Sequence, residues 1–183
     1  MQFAFLLEQV VNGLVLGGYY LLIALGLSLI FSVGGIVNLA HGNLYAFGAY
    51  VTAWVLGGLL AGKPAGFLFL LLPVGAVAAA ALGAVLEPTL LRPLYKRAEE
   101  YQLLITFGLL LILDDPMRFI WGPTPLSASA LWDAPGSLTI GDNKYPRYNL
   151  IVIPVGGVAA VALWAFVYKT TFGGILRATS QNM

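Results

Sequence analysis

One long uncharged stretch limits the fold of this chain more than any other feature. No Asp, Glu, Lys or Arg occurs between Glu8 and Lys63. A membrane-spanning helix needs about 20 apolar residues, so this interval can hold two spans with a break between them. The break falls in the sequence GGIVNLAHG at residues 34–42, which contains Asn38 and His41. Irregular backbone is not tolerated against lipid, so such a segment must be buried in protein or line a water-filled cavity.

Composition supports a membrane location and excludes several classes of function. The chain is 60% hydrophobic and 9% charged, with a mean hydropathy of +0.88, whereas soluble domains carry about 25% charged residues. We therefore predict an integral membrane protein. The net charge of +1 argues against a nucleic-acid-binding surface. Because the sequence contains no cysteine, disulfides, thiolate metal sites and cysteine nucleophiles are excluded.

Hydropathy predicts an all-α membrane protein, a polytopic bundle of about five transmembrane helices with a glycine-rich break at residues 34–42. The fourth apolar run reaches an Asp-Asp-Pro sequence after only about 18 Å. Its span must therefore continue past these acids, which then lie near an interface or against another helix. A short hairpin is predicted before the last span, with its turn at Gly141-Asp142-Asn143. The predicted spans are residues 10–33, 44–61, 67–86, 102–121 and 148–168.

The distribution of basic residues predicts the orientation of the chain. Five of the nine basic residues lie in the compact loops 87–101 and 169–183, and four lie on the other side. The positive-inside rule then favours an external N-terminus and a cytoplasmic C-terminal tail, although only by this narrow margin.

Asn38 and His41 are the candidate polar site within the apolar stretch. They are three residues apart, so they share a face if the segment is helical. Flanking glycines can unwind the backbone, and discontinuous helices build the sites of several transporter folds. The alternative is a cytoplasmic turn between two helices, with His41 satisfied by a backbone carbonyl. A single histidine without cysteine offers too few ligands for zinc, so no metal site is expected.

Other patterns predict packing or charge pairing. Asp114, Asp115 and Arg118 are spaced for an ion pair on a helix, which we favour over a proton relay. Residues 57–63 fit the start of a phosphate-binding loop, but Pro64 stands where Ser or Thr should bind magnesium, so no ATPase is predicted in this chain.

Small residues four apart allow close helix packing. These pairs are Gly13/Gly17, Ala76/Ala80, Ala79/Gly83 and Gly156/Ala160.

Several segments carry a resemblance to a known family, above all the sequence GIVNLAHG at residues 35–42. The other matching segments are residues 12–13, 17, 20–26, 48–50, 91–95, 106–109, 121–123, 173 and 177–182. Together they resemble the permease subunits of bacterial branched-chain amino acid ATP-binding-cassette importers, the high-affinity leucine/isoleucine/valine family. Urea and short-chain amide permeases carry a very similar element. Asn43 departs from the family pattern, in which an acid or a small residue is common.

The resemblance implies one transmembrane permease domain over residues 1–183, in a multi-pass protein of the bacterial cytoplasmic (inner) membrane. Expected partners are a second permease subunit, two cytoplasmic ATP-binding subunits and a periplasmic amino-acid-binding protein. ATP hydrolysis is expected on the separate ATP-binding subunits. No catalytic residue and no cofactor is therefore expected in this chain, and no nucleic acid partner.

The resemblance also suggests site residues. Asn38, His41, Gly42 and Tyr20 are candidates for the translocation pathway. Residues 169–183 resemble the start of a cytoplasmic segment that couples to the ATPase, with Gly173, Arg177, Ala178 and Gln181 as candidates. Because family members continue with further spans, the chain is expected to be C-terminally incomplete. The alternatives are a urea or short-chain amide permease and a non-transporting membrane scaffold fragment.

Overall fold

The structure is a computed structural model that describes residues 2–59, 72–126, 135–140, 143–171 and 173–174. Within these residues the chain is almost entirely helical, which confirms the predicted all-α membrane fold. The five longest helices are α1 (Gln2–Gly34), α2 (His41–Trp54), α3 (Leu72–Leu86), α4 (Glu99–Trp121) and α5 (Arg147–Lys169).

Three segments of the described chain are long and apolar enough to cross a membrane. They are Phe5–Phe31, Pro73–Leu94 and Arg147–Lys169. The other two predicted spans, 44–61 and 102–121, correspond to α2 and α4. The helix α2 has only 14 residues before a π-helical turn at Val55–Leu59. The helix α4 is long enough, but acids in its first turn and near its C-terminal end interrupt its apolar sequence.

The chain divides into two compact units, Met1–Ser28 with Ser129–Met183 and Leu29–Ala128. In the first unit, α1 contacts α5 through small residues. A Cβ atom on Gly18 would lie 3.2 Å from Val152 Cγ1, and one on Gly156 would lie 3.6 Å from Gly18 O. The predicted pair Gly13/Gly17 does not take part, because no described atom lies within 4 Å of a Cβ at either residue.

A two-stranded antiparallel hairpin precedes α5, as predicted. Strand β1 is Ser137–Ile140 and strand β2 is Asn143–Pro146. Ser137 pairs with Pro146 and Ile140 with Asn143, so Asn143 belongs to the second strand and not to the turn. At its other end α5 carries Trp164, with Lys169 Nζ 5.7 Å from the ring centre, an arrangement typical of residues at a membrane interface.

In the second unit, α2 packs closely against α3. A Cβ on Gly48 would lie 2.8 Å from Gly75 O and 3.3 Å from Ala79 Cβ. The helix α2 also contacts the C-terminal end of α4, where Tyr50 lies 5.4 Å from Trp121 between ring centres. The predicted ion pair on α4 is confirmed, with Arg118 Nε 2.8 Å from Asp114 Oδ2.

Candidate functional site

The backbone between α1 and α2 is non-helical only at residues 35–40, a shorter break than the predicted 34–42. Gly35 has a φ of +60°, a left-handed conformation that glycine adopts without strain and that commonly ends a helix. Its N–H donates to Phe31 O at 2.9 Å. At 1.5 Å per residue, the 33 residues of α1 extend about 50 Å, more than the roughly 30 Å hydrocarbon core. The break therefore follows a full-length helix and does not interrupt one.

Asn38 turns the chain from α1 into α2. Residues 35–38 have no regular secondary structure and α2 begins at His41, so Asn38 and His41 do not share a helical face. Asn38 Oδ1 accepts from the Ala40 N–H at 3.0 Å, and the His41 N–H donates to Asn38 O at 3.2 Å. Asparagine favours such turns because its side chain bonds to nearby backbone. Asn38 is 2% exposed, and its Nδ2 has no partner among the described residues.

The helix α4 holds this turn in place through two side-chain hydrogen bonds. Thr106 is fully buried, and its hydroxyl lies 3.2 Å from Val37 O and 2.8 Å from Gln102 O. Asn43, in the first turn of α2, donates from Nδ2 to Leu110 O at 2.7 Å. Asn43, which differs from the residues common at this position in the resembled family, therefore has a structural role, because its amide hydrogen bond joins α2 to α4.

The same face of α4 also fixes the segment that follows α3. This segment consists of a π-helical turn at Glu87–Leu91 and a 3-10 turn at Arg92–Leu94. Gln102 is 4% exposed, and its Nε2 donates to Leu94 O at 3.2 Å and to Arg97 O at 3.0 Å. Gln102 and Thr106 are one helical turn apart, so one face of α4 positions both the break and this segment.

Between the break and the end of α3 lies a cavity of about 260 Å³. Its wall is mainly aliphatic, and Gly83 of α3 leaves space on one side. Three polar side chains also reach it, from the break and from the segment after α3. The aliphatic residues are Ile30, Ile36, Leu44 and Leu91, and the polar residues are Asn38, Glu87 and Tyr95.

The carboxylate of Glu87 is held by two neighbours. The Tyr95 hydroxyl donates to Glu87 Oε1 at 3.0 Å, and Arg92 Nε lies 3.4 Å from the same oxygen. Burial of the phenol raises the pKa of Tyr95, and the hydrogen bond to Glu87 raises it further. Tyr95 therefore stays protonated near neutral pH and serves as a hydrogen-bond donor to the carboxylate.

Comparison with known proteins identifies the family. Residues 9–183 match the family described as the branched-chain amino acid transport system permease component. The chain belongs to this family. LivH of Escherichia coli K12, a high-affinity branched-chain amino acid transport system permease protein, is 26% identical over 190 residues, which cover 100% of this chain and 61% of LivH. BraD of Pseudomonas aeruginosa, named in the same way, is 25% identical over 186 residues, which cover 97% of this chain and 60% of BraD.

The chain thus spans about three fifths of the length of the curated permease relatives it matches. No solved structure matches it. Three segments by which the sequence resembles this permease family come together in the second unit. They are residues 35–42, 91–95 and 106–109, joined by the hydrogen bond from Thr106 to Val37 and by the cavity between Asn38 and Tyr95.

The four residues of this chain that were predicted to line the translocation pathway differ in their surroundings. Asn38 is buried in the cavity wall. His41 is half-buried beside it, and its Nδ1 has no partner in the described parts of the chain. Gly42 is an exposed residue in the first turn of α2, with no described atom within 4 Å of a Cβ placed there. Tyr20 lies on α1 in the first unit and is 63% exposed.

Of the predicted coupling residues, only Gly173 is described. It follows α5, and its N–H donates to Thr170 Oγ1 at 3.0 Å. A Cβ at this position would collide with the carbonyl oxygens of Phe166 and Val167, so the close turn requires glycine. Arg177, Ala178 and Gln181 lie outside the described residues.

Five residues that build this site had no predicted role. Glu87 and Tyr95 reach the cavity, and Gln102, Thr106 and Asn43 hold its walls in place. Tyr95 and Thr106 belong to segments that matched the family, but that match assigned them no role. The useful signal was the spacing of Gln102 and Thr106, two polar residues one turn apart on an otherwise apolar helix face.

Proposed function

We propose that this chain is a transmembrane permease subunit of an ATP-binding-cassette importer for branched-chain amino acids. The observation that carries the proposal is the family match over residues 9–183. Long apolar helices and a buried polar turn beside a cavity are consistent with part of a translocation pathway. The substrate class follows the printed names of the relatives, which describe branched-chain amino acid transport.

The same proposal includes the partners that such an importer needs. They are a second permease subunit, two cytoplasmic ATP-binding subunits and a periplasmic amino-acid-binding protein, assembled in the bacterial inner membrane. In this proposal, ATP hydrolysis takes place on the ATP-binding subunits, as the family resemblance implies. Movements driven by ATP open the pathway alternately to the two sides of the membrane.

Within this proposal the pathway passes the break. Asn38 has the strongest support, because it is a buried polar residue that lines the cavity. His41, Gly42 and Tyr20 remain predictions for the same pathway. Gly173 would begin the coupling segment, and Arg177, Ala178 and Gln181 remain predictions for contacts of that segment with an ATP-binding subunit.

Uptake by the assembled transporter tests the proposal. The gene for the full protein is deleted in its host, and uptake of labelled leucine is compared with that of the complemented strain. We expect uptake to depend on this gene, to be inhibited by isoleucine and valine, and to be unaffected by urea. Uptake of labelled urea that depends on the gene would favour the amide-permease alternative. Unchanged uptake of both solutes after deletion would favour a scaffold.

A further inference from the structure

The cavity of the second unit lies at one end of two candidate membrane spans. The segment Phe5–Phe31 ends just after Ile30, which lines the cavity. The segment Pro73–Leu94 ends just after Leu91, another residue of the wall. Tyr95 follows that segment directly, and tyrosine is enriched where the hydrocarbon core meets the lipid headgroups. We therefore expect the cavity at this boundary, the level at which a phospholipid changes from acyl chain to headgroup.

The surface that the cavity presents is mainly aliphatic. Asn38 adds little polar surface to it, because this residue is 2% exposed and its Oδ1 accepts from the Ala40 N–H. Gly83 leaves further room, since no described atom lies within 4 Å of a Cβ built there. The volume of about 260 Å³ exceeds the roughly 150 Å³ of an engineered apolar cavity that stays free of water and binds benzene. An apolar chain therefore fits this space better than water does.

One edge of the cavity is polar and accessible. The Tyr95 hydroxyl donates to Glu87 Oε1 at 3.0 Å, and Arg92 Nε lies 3.4 Å from the same oxygen. Tyr95 is 43% exposed, and the side chain of Arg92 is 70% exposed. The guanidinium group therefore lies at the edge of the cavity with most of its surface free to contact a ligand.

Positive charge predominates at this edge. The ion pair at the edge is neutral by itself, but the exposed Lys96 and Arg97 come next in the chain, and neither has an acidic partner within 4 Å among the described residues. Glu99 and Glu100 lie in the first turn of α4, where the positive end of the helix dipole offsets part of their charge. Basic clusters at the end of a membrane span attract anionic lipid headgroups.

From these features we infer that the cavity holds an acyl chain of an anionic phospholipid, whose phosphate binds to Arg92. The chain lies against Ile36 and Leu44, and the positive charges of Lys96 and Arg97 favour an anionic headgroup over a zwitterionic one. This inference goes beyond the proposed function, because a lipid and not a transported solute occupies the cavity in the conformation that the structure describes. It holds for any solute that the transporter carries.

Photo-crosslinking with lipids of defined headgroup tests the site. The full protein, within the assembled transporter, is placed in phosphatidylcholine vesicles that contain a trace of phosphatidylglycerol or phosphatidylcholine with a diazirine in one acyl chain. Mass spectrometry measures crosslinks at Ile36, Leu44 and Leu91 relative to those elsewhere on the chain, which report lipid that only surrounds the protein. We expect phosphatidylglycerol to crosslink these three residues at least about fivefold more than phosphatidylcholine, the factor for one cation near a membrane surface.

A charge variant tests the headgroup contact. Arg92→Gln should lower the preference for phosphatidylglycerol about fivefold. Arg118→Gln is the matched control, because the Arg118 side chain is 69% exposed and pairs with Asp114, but it does not line this cavity. The double variant Lys96→Gln with Arg97→Gln changes exposed residues only. It should lower the preference in the same direction, and it covers the case in which Arg92→Gln fails to assemble.

A larger side chain tests the acyl-chain contact. Gly83→Phe should fill the cavity and reduce crosslinks at Leu44 and Leu91 several-fold for both lipids. Gly108→Phe on α4 is the matched control, because Gly108 has similar free space but does not line the cavity. Crosslinks that persist in Gly83→Phe, or that fall equally in both variants, contradict a chain in the cavity.

The remaining outcomes separate this inference from the proposed function. Equal crosslinking by the two lipids, or a preference that survives the charge variants, overturns the anionic-lipid site. An absence of crosslinks at the cavity residues overturns it too, since another part of the transporter would then cover the cavity. Leucine uptake is measured in the same vesicles. An assembly that imports leucine without these crosslinks refutes the lipid site alone, and one that shows the crosslinks but imports no leucine refutes the proposed function alone.

Discussion

Buried polar side chains explain how the second unit tolerates irregular backbone among apolar helices. The carbonyl groups of Val37, Leu94 and Arg97 lie outside the α-helices, and the Leu94 oxygen also accepts from the Arg97 N–H at 2.9 Å. Thr106 lies within hydrogen-bond distance of the first, and Gln102 donates to the other two. Unpaired carbonyls in apolar surroundings cost several kcal/mol each. These two residues of α4 therefore stabilise the structure at the break, although neither lines the cavity.

Thr106→Val tests this role with a side chain of the same shape. We expect the free energy of unfolding in detergent to fall by about 1–3 kcal/mol, because Val37 O loses its donor. Thr89→Val is the control, since Thr89 is exposed and its hydroxyl bonds only to nearby carbonyls of its own helical segment, Val85 O and Leu86 O. Equal losses in the two variants would show that Thr106 contributes only as an ordinary helix residue.

At the scale of elements, the crossing of α2 and α3 depends on glycine. Gly48 and Gly75 face each other, and the Thr52 hydroxyl, which donates to Gly48 O at 2.8 Å, fills the remaining space. Without side chains at the crossing, the two backbones approach closely enough for dispersion contacts to hold them, which is how helices associate in lipid.

Gly48→Ala should destabilise the second unit. Its Cβ would lie 2.8 Å from Gly75 O, so a helix must shift, at a cost of about 1–3 kcal/mol of unfolding free energy. Gly42→Ala on the same helix has open space and should be neutral or stabilise by up to about 1 kcal/mol. Thermal unfolding of the two variants in the same detergent checks the difference. Similar melting temperatures would contradict a close crossing at Gly48.

The elements differ in how far local sequence predicts them. Hydropathy located the long helices because a span requires only apolar composition over enough residues. The hairpin followed from its turn residues, and the ion pair of Asp114 with Arg118 from helical spacing. The close crossing of Gly48 with Gly75 was missed, because small residues occur throughout a chain with 22 glycines. Spacing along one helix does not tell which face meets another helix.

The candidate site was harder to predict than the helices because its residues are distant in sequence. Asn38 was identified from its position in an uncharged stretch, and that position is local information. Its neighbours Glu87 and Tyr95 belong to a charged segment that had indicated only orientation. Nothing in the spacing of these residues shows that α3 returns the chain to the break. That relation depends on how α2 and α3 pack, which is a property of the folded unit.

At the scale of the whole molecule, the cavity constrains the membrane topology. The break after α1 and the segment after α3 line one cavity, so they lie on the same side of the membrane. The segment Phe5–Phe31 of α1 is long and apolar enough to cross a membrane, so we expect the N-terminus on the opposite side. We expect the shared side to be cytoplasmic, because the loop 87–101 holds Arg92, Lys96 and Arg97.

Single cysteines in this cysteine-free chain can test that arrangement in intact cells with a membrane-impermeant thiol reagent. Cysteines that replace His41 and Lys96 should behave alike and react only after the membrane is permeabilised, whereas one that replaces Gln2 should react in intact cells. Reaction of both positions 41 and 96 in intact cells would reverse the orientation but keep the shared side. Reaction of only one of them would contradict the packing of α2 and α3, because the cavity requires the break and the loop to face the same compartment.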